Sequence, residues 1–93
     1  MIRTIKCKQT EKIFNMETSG VFPTEIHQRA YSKLRMLHNS ETLHDLRIPP
    51  SNRLEKLKKD RQEQCSIRIN DKWRICFRWH AGDAYEVEIV DYH

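Results

Sequence analysis

Residues 72–92 read KWRICFRWHAGDAYEVEIVDY, and the alternation of apolar and polar side chains in this stretch decides the fold. A period of two is typical of β-strands with one buried face, so the pattern predicts strands over Lys72–Trp79 and Asp83–Tyr92. Between them, His80-Ala81-Gly82 predicts a three-residue loop in which Gly82 takes the position that needs a positive φ. The sequence therefore predicts an antiparallel hairpin.

Burial decides the register that we expect for this hairpin. The apolar residues of the two strands should face one another, because a shift of one residue sets Phe77 opposite Glu86. The predicted apolar pairs are Trp73 with Ile89, Ile75 with Val87, and Phe77 with Tyr85. The same register sets Arg74 opposite Glu88. It also places Arg68, Arg74 and Tyr92 on a polar, exposed face, away from the helices.

Helical spacing replaces alternation in the first half of the chain. Lys8–Met16 is predicted to be helical, and a second helix should begin after Thr24 as its N-cap and end at Asn39-Ser40. The apolar residues of this second helix recur at helical spacing and should face the core. They are Ile26, Ala30, Leu34 and Leu37.

The connecting segments give weaker patterns. Ile2–Cys7 is predicted to be a short strand, and Glu41–Pro50 a short helical turn that stops at Pro49-Pro50. Arg53–Gln64 is highly charged, which predicts a loop or short strand along a basic face. Ninety-three residues predict a single domain over residues 1–93.

Charge is concentrated in the middle of the chain. Residues 47–80 contain ten basic and four acidic residues, a net charge of +6, although the whole chain carries only +4. A basic region on a small domain favours phosphate as a partner, and a solvated basic face is the alternative. Three cysteines with no CxxC spacing predict reduced thiols in a cytoplasm. The scattered histidines and cysteines predict no zinc site and no other metal or cofactor, and no apolar run is long enough to predict a membrane span.

The chain ends in Asp91-Tyr92-His93, three groups that can transfer protons or stack on a base. Cleavage of RNA without a metal needs a base for the ribose 2′-OH, a cation for the phosphate and an acid for the leaving 5′-oxygen. Histidine, arginine and tyrosine suit these tasks. Spacing alone leaves a nuclease and a binding module for nucleic acid or protein both open.

Several segments together resemble HigB-type toxins of the RelE/ParE superfamily, which belong to bacterial type II toxin–antitoxin systems and are also described as plasmid-maintenance killer proteins. The resemblance is densest from Asn52 to the end. It rests on residues 57–61 (LKKDR), 66–70 (SIRIN), 73–77 (WRICF), 82–85 (GDAY) and 91–93 (DYH). The combination is specific, although each piece alone is not.

The resemblance implies an α+β fold in which two N-terminal helices pack on a mainly antiparallel sheet of about four strands. It implies a ribosome-dependent mRNA endoribonuclease (an mRNA interferase) of a bacterial cytoplasm, which cleaves mRNA in the A site by metal-free 2′-OH attack. The implied partners are the ribosome, mRNA and a helix-turn-helix antitoxin of the HigA type. Operator DNA would be reached only through that antitoxin.

The resemblance also implies roles for individual residues. Asp91 and His93 would transfer protons, in either order, and Tyr92 would hold or stack the codon. Arg74 would stabilise the phosphate with help from Lys58. Arginines and lysines of the basic region would bind RNA or the ribosome: Arg53, Lys56, Lys59, Arg61 and Arg68.

Two departures and two alternatives accompany this interpretation. Some members have a histidine just upstream of the LKxDR segment, where this chain offers Glu55, and glycine is common where Lys59 stands. A ParE-like gyrase poison of the same fold would not need the terminal Asp-Tyr-His. A non-catalytic RNA- or protein-binding module would tolerate changes at all three positions.

Overall fold

Two helices precede a four-stranded antiparallel sheet in the computed structural model, which describes residues 1–56 and 64–91. Helix α1 spans Lys8–Phe14 and α2 spans Thr24–Asn39. Single 3₁₀ turns follow at Leu43–Arg47 and Pro50–Asn52. The strands are β1 (Glu55–Lys56), β2 (Gln64–Arg68), β3 (Trp73–His80) and β4 (Asp83–Asp91), in the spatial order β1-β2-β3-β4. The predicted α+β fold is confirmed.

Both helices differ slightly from their predicted bounds. Helix α1 ends at Phe14 because Met16 adopts a left-handed φ of 63°. The amides of Met16 and Glu17 then turn back to the carbonyls of Ile13 and Lys12, a Schellman ending.

Helix α2 begins one residue earlier than predicted. Thr24 is its first helical residue, and Pro23 occupies the N-cap, where it provides no side-chain cap. The Pro23 carbonyl accepts the hydrogen bond from the Ile26 amide, which draws Thr24 into the first turn. The prediction that Thr24 is the N-cap is therefore wrong.

The N-terminal segment lies along the outer edge of β4. Within the described part of the chain, this segment forms two isolated parallel bridges, Ile2 with Ala84 and Ile5 with Val87, so the predicted strand over Ile2–Cys7 is not a regular one. Backbone hydrogen bonds nevertheless join the two segments, including Arg3 N to Ala84 O at 2.8 Å. The segment satisfies backbone groups that an edge strand would otherwise leave unpaired.

The core lies between the helices and one face of the sheet. Helix α2 contributes four fully or almost fully buried residues, and these are the four predicted from helical spacing. Ile75 and Phe77 of β3 are fully buried against them, and Trp73 and Trp79 pack at the margin of the same cluster. The predicted apolar face of β3 is confirmed. Among the described residues, no helix has the length and apolar character needed to cross a membrane.

The hairpin register differs from the predicted one. The turn has two residues, Ala81 and Gly82, both with positive φ, and His80 pairs with Asp83. Two-residue turns of this kind match the twist of the flanking strands. As a result Tyr85 lies opposite Arg78 on the face away from the helices, whereas the prediction paired it with Phe77.

A β-bulge then shifts the alternation of β4 by one residue. The register shifts between Cys76 and Arg78, and Glu86 on the opposite strand has a φ of 53°. One extra residue in β4 returns Val87 and Ile89 to the core face, with Ile89 opposite Ile75. The predicted apolar set of β4 is therefore correct for Val87 and Ile89 and wrong for Tyr85.

Candidate functional site

The predicted site residues divide into two groups. Five of them, Lys58, Lys59, Arg61, Tyr92 and His93, lie outside the residues that the structure describes. The other five can be placed: Arg53 after the second 3₁₀ turn, Lys56 on β1, Arg68 on β2, Arg74 on β3, and Asp91 at the end of β4.

Arg74 is the most firmly held of these residues. Its Nε donates to Ser66 Oγ at 2.9 Å, and Nη2 donates to the carbonyls of Arg53 at 2.5 Å and Ser66 at 3.3 Å. Nη2 also lies 3.4 Å from Glu55 Oε1. Only 6% of the residue is exposed. The guanidinium is thus fixed in one orientation by β2 and by the segment that leads into β1.

Backbone geometry brings the Arg53 carbonyl to this guanidinium. The 3₁₀ turn Pro50–Asn52 ends with Arg53 in the left-handed region, at a φ of 44°. In this conformation the peptide oxygen of Arg53 accepts the hydrogen bond from Arg74 of β3, while the Arg53 side chain is exposed. Glu55 then enters β1 opposite Ser66, which brings its carboxylate beside the same arginine.

Two expectations about Arg74 are corrected by this arrangement. Its partner on β4 is Val90, because the two-residue turn and the bulge move the register; Cys76 lies opposite Glu88 instead. The side chain is buried, because Ser66, Arg53 and Glu55 surround it, and it is not part of an exposed arginine face.

A polar cavity of about 290 Å³ opens beside Arg74. Three predicted residues, Arg53, Arg68 and Arg74, line it together, and Arg68 is the cross-strand neighbour of Arg74. The Arg68 guanidinium also pairs with Asp71. The remaining described lining residues are Glu55, Asn70 and Asp71. Arginines in a fixed orientation beside an open polar cavity can bind phosphate oxygens through paired N–H donors.

Asp91 is placed differently. It lies opposite Trp73, whereas Arg74 lies opposite Val90, so strand parity turns Asp91 toward the face that carries the helices. Its Oδ2 is 3.7 Å from the Nζ of Lys72. Asp91 is not among the described residues that line the arginine cavity. The structure therefore brings Arg53, Arg68 and Arg74 together but does not bring Asp91 to the same cavity.

Sequence reasoning missed Ser66 and Asn70. Ser66 is fully buried and orients Arg74, and the Asn70 side chain accepts hydrogen bonds from the amides of Lys72 and Trp73 at the turn between β2 and β3. Strand parity offered a signal for Ser66, since it lies two residues before Arg68 and so shares its face.

Cys65 does not supply a reactive thiolate to this site. Burial raises the pKa of the Cys65 thiol, and the charge of Lys56 on the neighbouring strand only partly opposes that effect. No disulfide involves Cys7, Cys65 or Cys76, all of which are among the described residues. A buried thiol with a raised pKa is a small core residue and a poor nucleophile.

Comparison with known proteins adds to this geometry. Residues 3–93 match the family described as the RelE-like toxin of the type II toxin–antitoxin system HigB. The chain is 39% identical over 64 residues to "Toxin HigB-1" of Vibrio cholerae serotype O1, which covers 69% of this chain and 67% of that protein. It is 29% identical to "Endoribonuclease HigB" of Proteus vulgaris over 93 residues, the full length of both. An uncharacterized protein of Haemophilus influenzae is 33% identical over 68 residues, 73% of this chain and 67% of that protein.

The family match extends over both helices and the whole sheet, and the four antiparallel strands agree with the sheet that the sequence resemblance implied. The chain belongs to the HigB-like family of RelE-like toxins of type II toxin–antitoxin systems.

Proposed function

We propose that this toxin is a ribosome-dependent mRNA endoribonuclease that cuts mRNA in the A site. Family membership supports the toxin class, and the full-length relative from Proteus vulgaris carries the name of an endoribonuclease. The observation that carries the proposal is Arg74, a buried guanidinium whose orientation is fixed by four protein contacts beside an open cavity that Arg53 and Arg68 also line.

Arg74 suits transition-state stabilisation because its orientation is set before substrate binds. A cation that needs no reorganisation at the moment of reaction stabilises developing phosphate charge more than a mobile one. The Glu55 carboxylate beside it partly offsets its charge, and arriving phosphate oxygens would take over donors of the same guanidinium. Arg74 is proposed to contact the phosphate directly, with Lys58 assisting.

Proton transfer is proposed for Asp91 and His93, and it requires the Asp91 carboxylate to reach the phosphate around the end of β4, because Asp91 and Arg74 lie on opposite faces of the sheet. One of them removes the proton from the ribose 2′-OH as that oxygen attacks phosphorus, and the other protonates the 5′-oxygen as its bond to phosphorus breaks. The products are a 2′,3′-cyclic phosphate and a free 5′-OH. Tyr92 is proposed to stack on a base of the codon.

The proposed partners follow from the same family. Type II membership implies an antitoxin, and we propose one of the HigA helix-turn-helix type that carries the contact with operator DNA. Arg53, Lys56, Lys59, Arg61 and Arg68 are proposed to bind mRNA or ribosomal RNA. Arg53 and Lys56 are exposed among the described residues, so both are available to a large partner.

Expression in growing bacteria tests the activity. The wild type, His93→Gln and the control His44→Gln are induced, and RNA ends bearing a 5′-OH are mapped across the transcriptome. His44 is an exposed residue of the first 3₁₀ turn and serves as the matched histidine. We expect codon-phased cuts with the wild type and His44→Gln that disappear with His93→Gln.

Three other outcomes contradict all or part of the proposal. Growth arrest with intact mRNA and inhibited DNA supercoiling would identify a ParE-like gyrase toxin. Unchanged cutting in His93→Gln would remove the histidine from the mechanism and leave Asp91, Tyr92 and Arg74 as its candidates. Growth unaffected by the wild type would indicate a non-catalytic binding module.

A further inference from the structure

A second cavity lies on the other side of Arg68, between α2 and the end of β2. Its volume is about 240 Å³, and its described lining residues are Arg29, Lys33, Ser51, Arg68 and Ile69. Arg29 and Lys33 come from α2, one helical turn apart, and Ser51 comes from the second 3₁₀ turn. Three elements that are distant in sequence thus place three cations and a hydroxyl around one space.

Two of the three cations are held by neutral partners. Arg29 Nη1 donates to the carbonyl of Ile69 at 3.3 Å. Lys33 Nζ donates to Asn52 Oδ1 at 2.5 Å. Asn52 is itself fully buried, and its Nδ2 donates to the carbonyl of Leu46 at 3.1 Å. Neutral partners orient the cations without neutralising them.

Like charges therefore face one another in this cavity. None of the described lining residues is acidic, and Asp71, which pairs with Arg68, lines the neighbouring cavity instead. Burial lowers the pKa of Lys33, and the charges of Arg29 and Arg68 lower it further. An anion in the cavity would relieve this repulsion and make additional charge-assisted hydrogen bonds.

The two cavities are connected through Arg68, which lines both. Arg68 is also the cross-strand neighbour of Arg74 on the same face of the sheet. A continuous series of cations therefore starts at the candidate cleavage site, in the order Arg74, Arg68, then Lys33 and Arg29. A polyanionic chain has a charge at every nucleotide, so one that is held at Arg74 would present its next phosphates along such a series.

We propose that Arg29, Lys33, Ser51 and Arg68 form a phosphate-binding site for a phosphodiester of single-stranded RNA that flanks the phosphate at Arg74. The choice of RNA rests on the proposed function. Two arginines offer planar pairs of donors, Lys33 adds a point charge, and Ser51 can donate through its hydroxyl. The site extends the RNA contact from the sheet onto helix α2, to which sequence reasoning assigned no RNA contact.

The test is the salt dependence of RNA binding. The probe is a fluorescein-labelled oligoribonucleotide whose 2′-O-methyl groups prevent cleavage, and its affinity is measured by anisotropy across a salt series. For single strands, each phosphate contact contributes about 0.7 to the slope of log K against log salt. We expect Arg29→Gln to reduce the slope by about 0.7 and to weaken binding several-fold at low salt.

The control is Arg35→Gln, which removes the same charge from the same helix. Arg35 stacks over Phe14, away from the cavity lining, and its loss should leave the slope unchanged. Lys33→Gln should act like Arg29→Gln. Because Lys33→Gln also disturbs buried Asn52, the exposed Arg29 is the decisive variant. Free phosphate, at the same ionic strength as a chloride control, should compete weakly with the wild type and not at all with Arg29→Gln.

Equal slopes in the wild type and Arg29→Gln would overturn the proposal, as would equal losses in Arg29→Gln and Arg35→Gln or no RNA binding by the wild type. Strong competition by free phosphate without any loss of RNA affinity in Arg29→Gln would indicate a site for a small anion instead. Because the probe cannot be cut, a failure here is distinct from a failure of the mRNA-cleavage experiment.

Discussion

At the scale of single residues, Arg74 is both charged and buried, two properties that rarely occur together in one side chain. A buried cation is costly unless hydrogen bonds and an opposite charge compensate it, and here Ser66, the Arg53 carbonyl and Glu55 provide that compensation. The same contacts that make burial tolerable also fix the direction of the guanidinium. Arg74 therefore has a structural role as well as its proposed role in catalysis.

We expect Arg74→Ala to reduce the rate of mRNA cleavage by about 10²–10³, the usual loss when an oriented donor is removed from such a site. Since Ser66 and the Arg53 carbonyl lose their donor, unfolding should also become easier by about 1–3 kcal/mol. Urea denaturation and single-turnover cleavage on programmed ribosomes measure the two effects.

Arg78→Ala is the matched control. Arg78 is on the same strand and face, is partly exposed, and pairs with Glu86 at 3.5 Å. Its loss should cost under about 1 kcal/mol of stability and leave cleavage intact. A large stability loss in Arg74→Ala combined with normal cleavage would show that Arg74 is structural only.

At the scale of elements, the N-terminal segment joins α2 to the outer edge of β4. Its backbone bonds to β4 are supplemented by His38 of α2, whose Nδ1 accepts a hydrogen bond from the amide of Ile2 at 3.1 Å. The His38 ring also contacts Phe14 of α1. Three elements, the N-terminal segment, α1 and α2, thus meet at one histidine, and its protonation state affects how they are joined.

His38 should make the stability of the protein depend on pH. Burial lowers the pKa of His38, and the charges of Arg35 and the N-terminal amine lower it further, from an ordinary value of 6.5. The unfolded chain therefore binds a proton at a pH where the folded chain does not, and stability falls as the pH drops below 6.5. Protonation also converts Nδ1 from an acceptor into a donor.

Melting temperatures between about pH 7.5 and 5.5, the range around the ordinary histidine pKa, provide the measurement. His38→Asn keeps an acceptor near the position of Nδ1 and does not titrate, so its melting temperature should fall less than that of the wild type. His44→Asn, in the exposed 3₁₀ turn, should behave as the wild type does. Parallel curves for the wild type and His38→Asn would contradict this role of His38.

At the scale of the whole molecule, the two faces of the sheet differ in charge. The domain measures about 31 × 26 × 25 Å. The helices cover one face of the sheet, and the other face carries Arg68 and Arg74 beside the cavity that Arg53 also lines. Lys56 is exposed on the edge strand β1, but its register with Cys65 and Phe77 places it on the side of the helices, so it is not part of this face. Because the protein is small, one face of the sheet can bind a large anionic partner only if the hydrophobic core lies on the other face.

Ribosome binding should therefore depend on position as well as on net charge. We expect Arg53→Glu, a charge reversal at an exposed residue beside Arg68 and Arg74, to weaken binding to 70S ribosomes and to reduce the slope of log K against log salt by about 1. Lys8→Glu, the same reversal at the exposed start of α1, should have a much smaller effect. Co-sedimentation across a salt series distinguishes the two variants, and equal losses would show that only net charge matters.

The parts of the fold that depend on local pattern could be predicted from the sequence. The apolar face of α2, the alternation in β3 and the hairpin at Gly82 each follow from residues that are close in sequence. The register near Tyr85 could not, because apolar pairing alone does not distinguish a three-residue loop from a two-residue turn followed by a bulge.

The candidate site was predictable in residue type but not in arrangement. Because side chains alternate between the two faces of a strand, arginines of β2 and β3 could be assigned to one face. This assignment correctly grouped Arg68 with Arg74. The burial of Arg74 depends on the carbonyl of Arg53, 21 residues away, and on the left-handed turn that directs it. The cavity on α2 depends on Asn52 and Lys33 meeting across 19 residues, a contact that no local pattern indicates.

The bulge at Glu86 has a consequence for how relatives of this toxin are compared. On the turn side of Glu86, even-numbered residues of β4 such as Ala84 face the core; beyond it, odd-numbered residues such as Val87 and Ile89 do. An alignment gap of one residue in this part of β4 therefore assigns every position on one side of the gap to the wrong face of the strand. If substitutions are then compared column by column, changes in the core are counted as surface changes, and surface changes as core changes. The position of the bulge must therefore be aligned first.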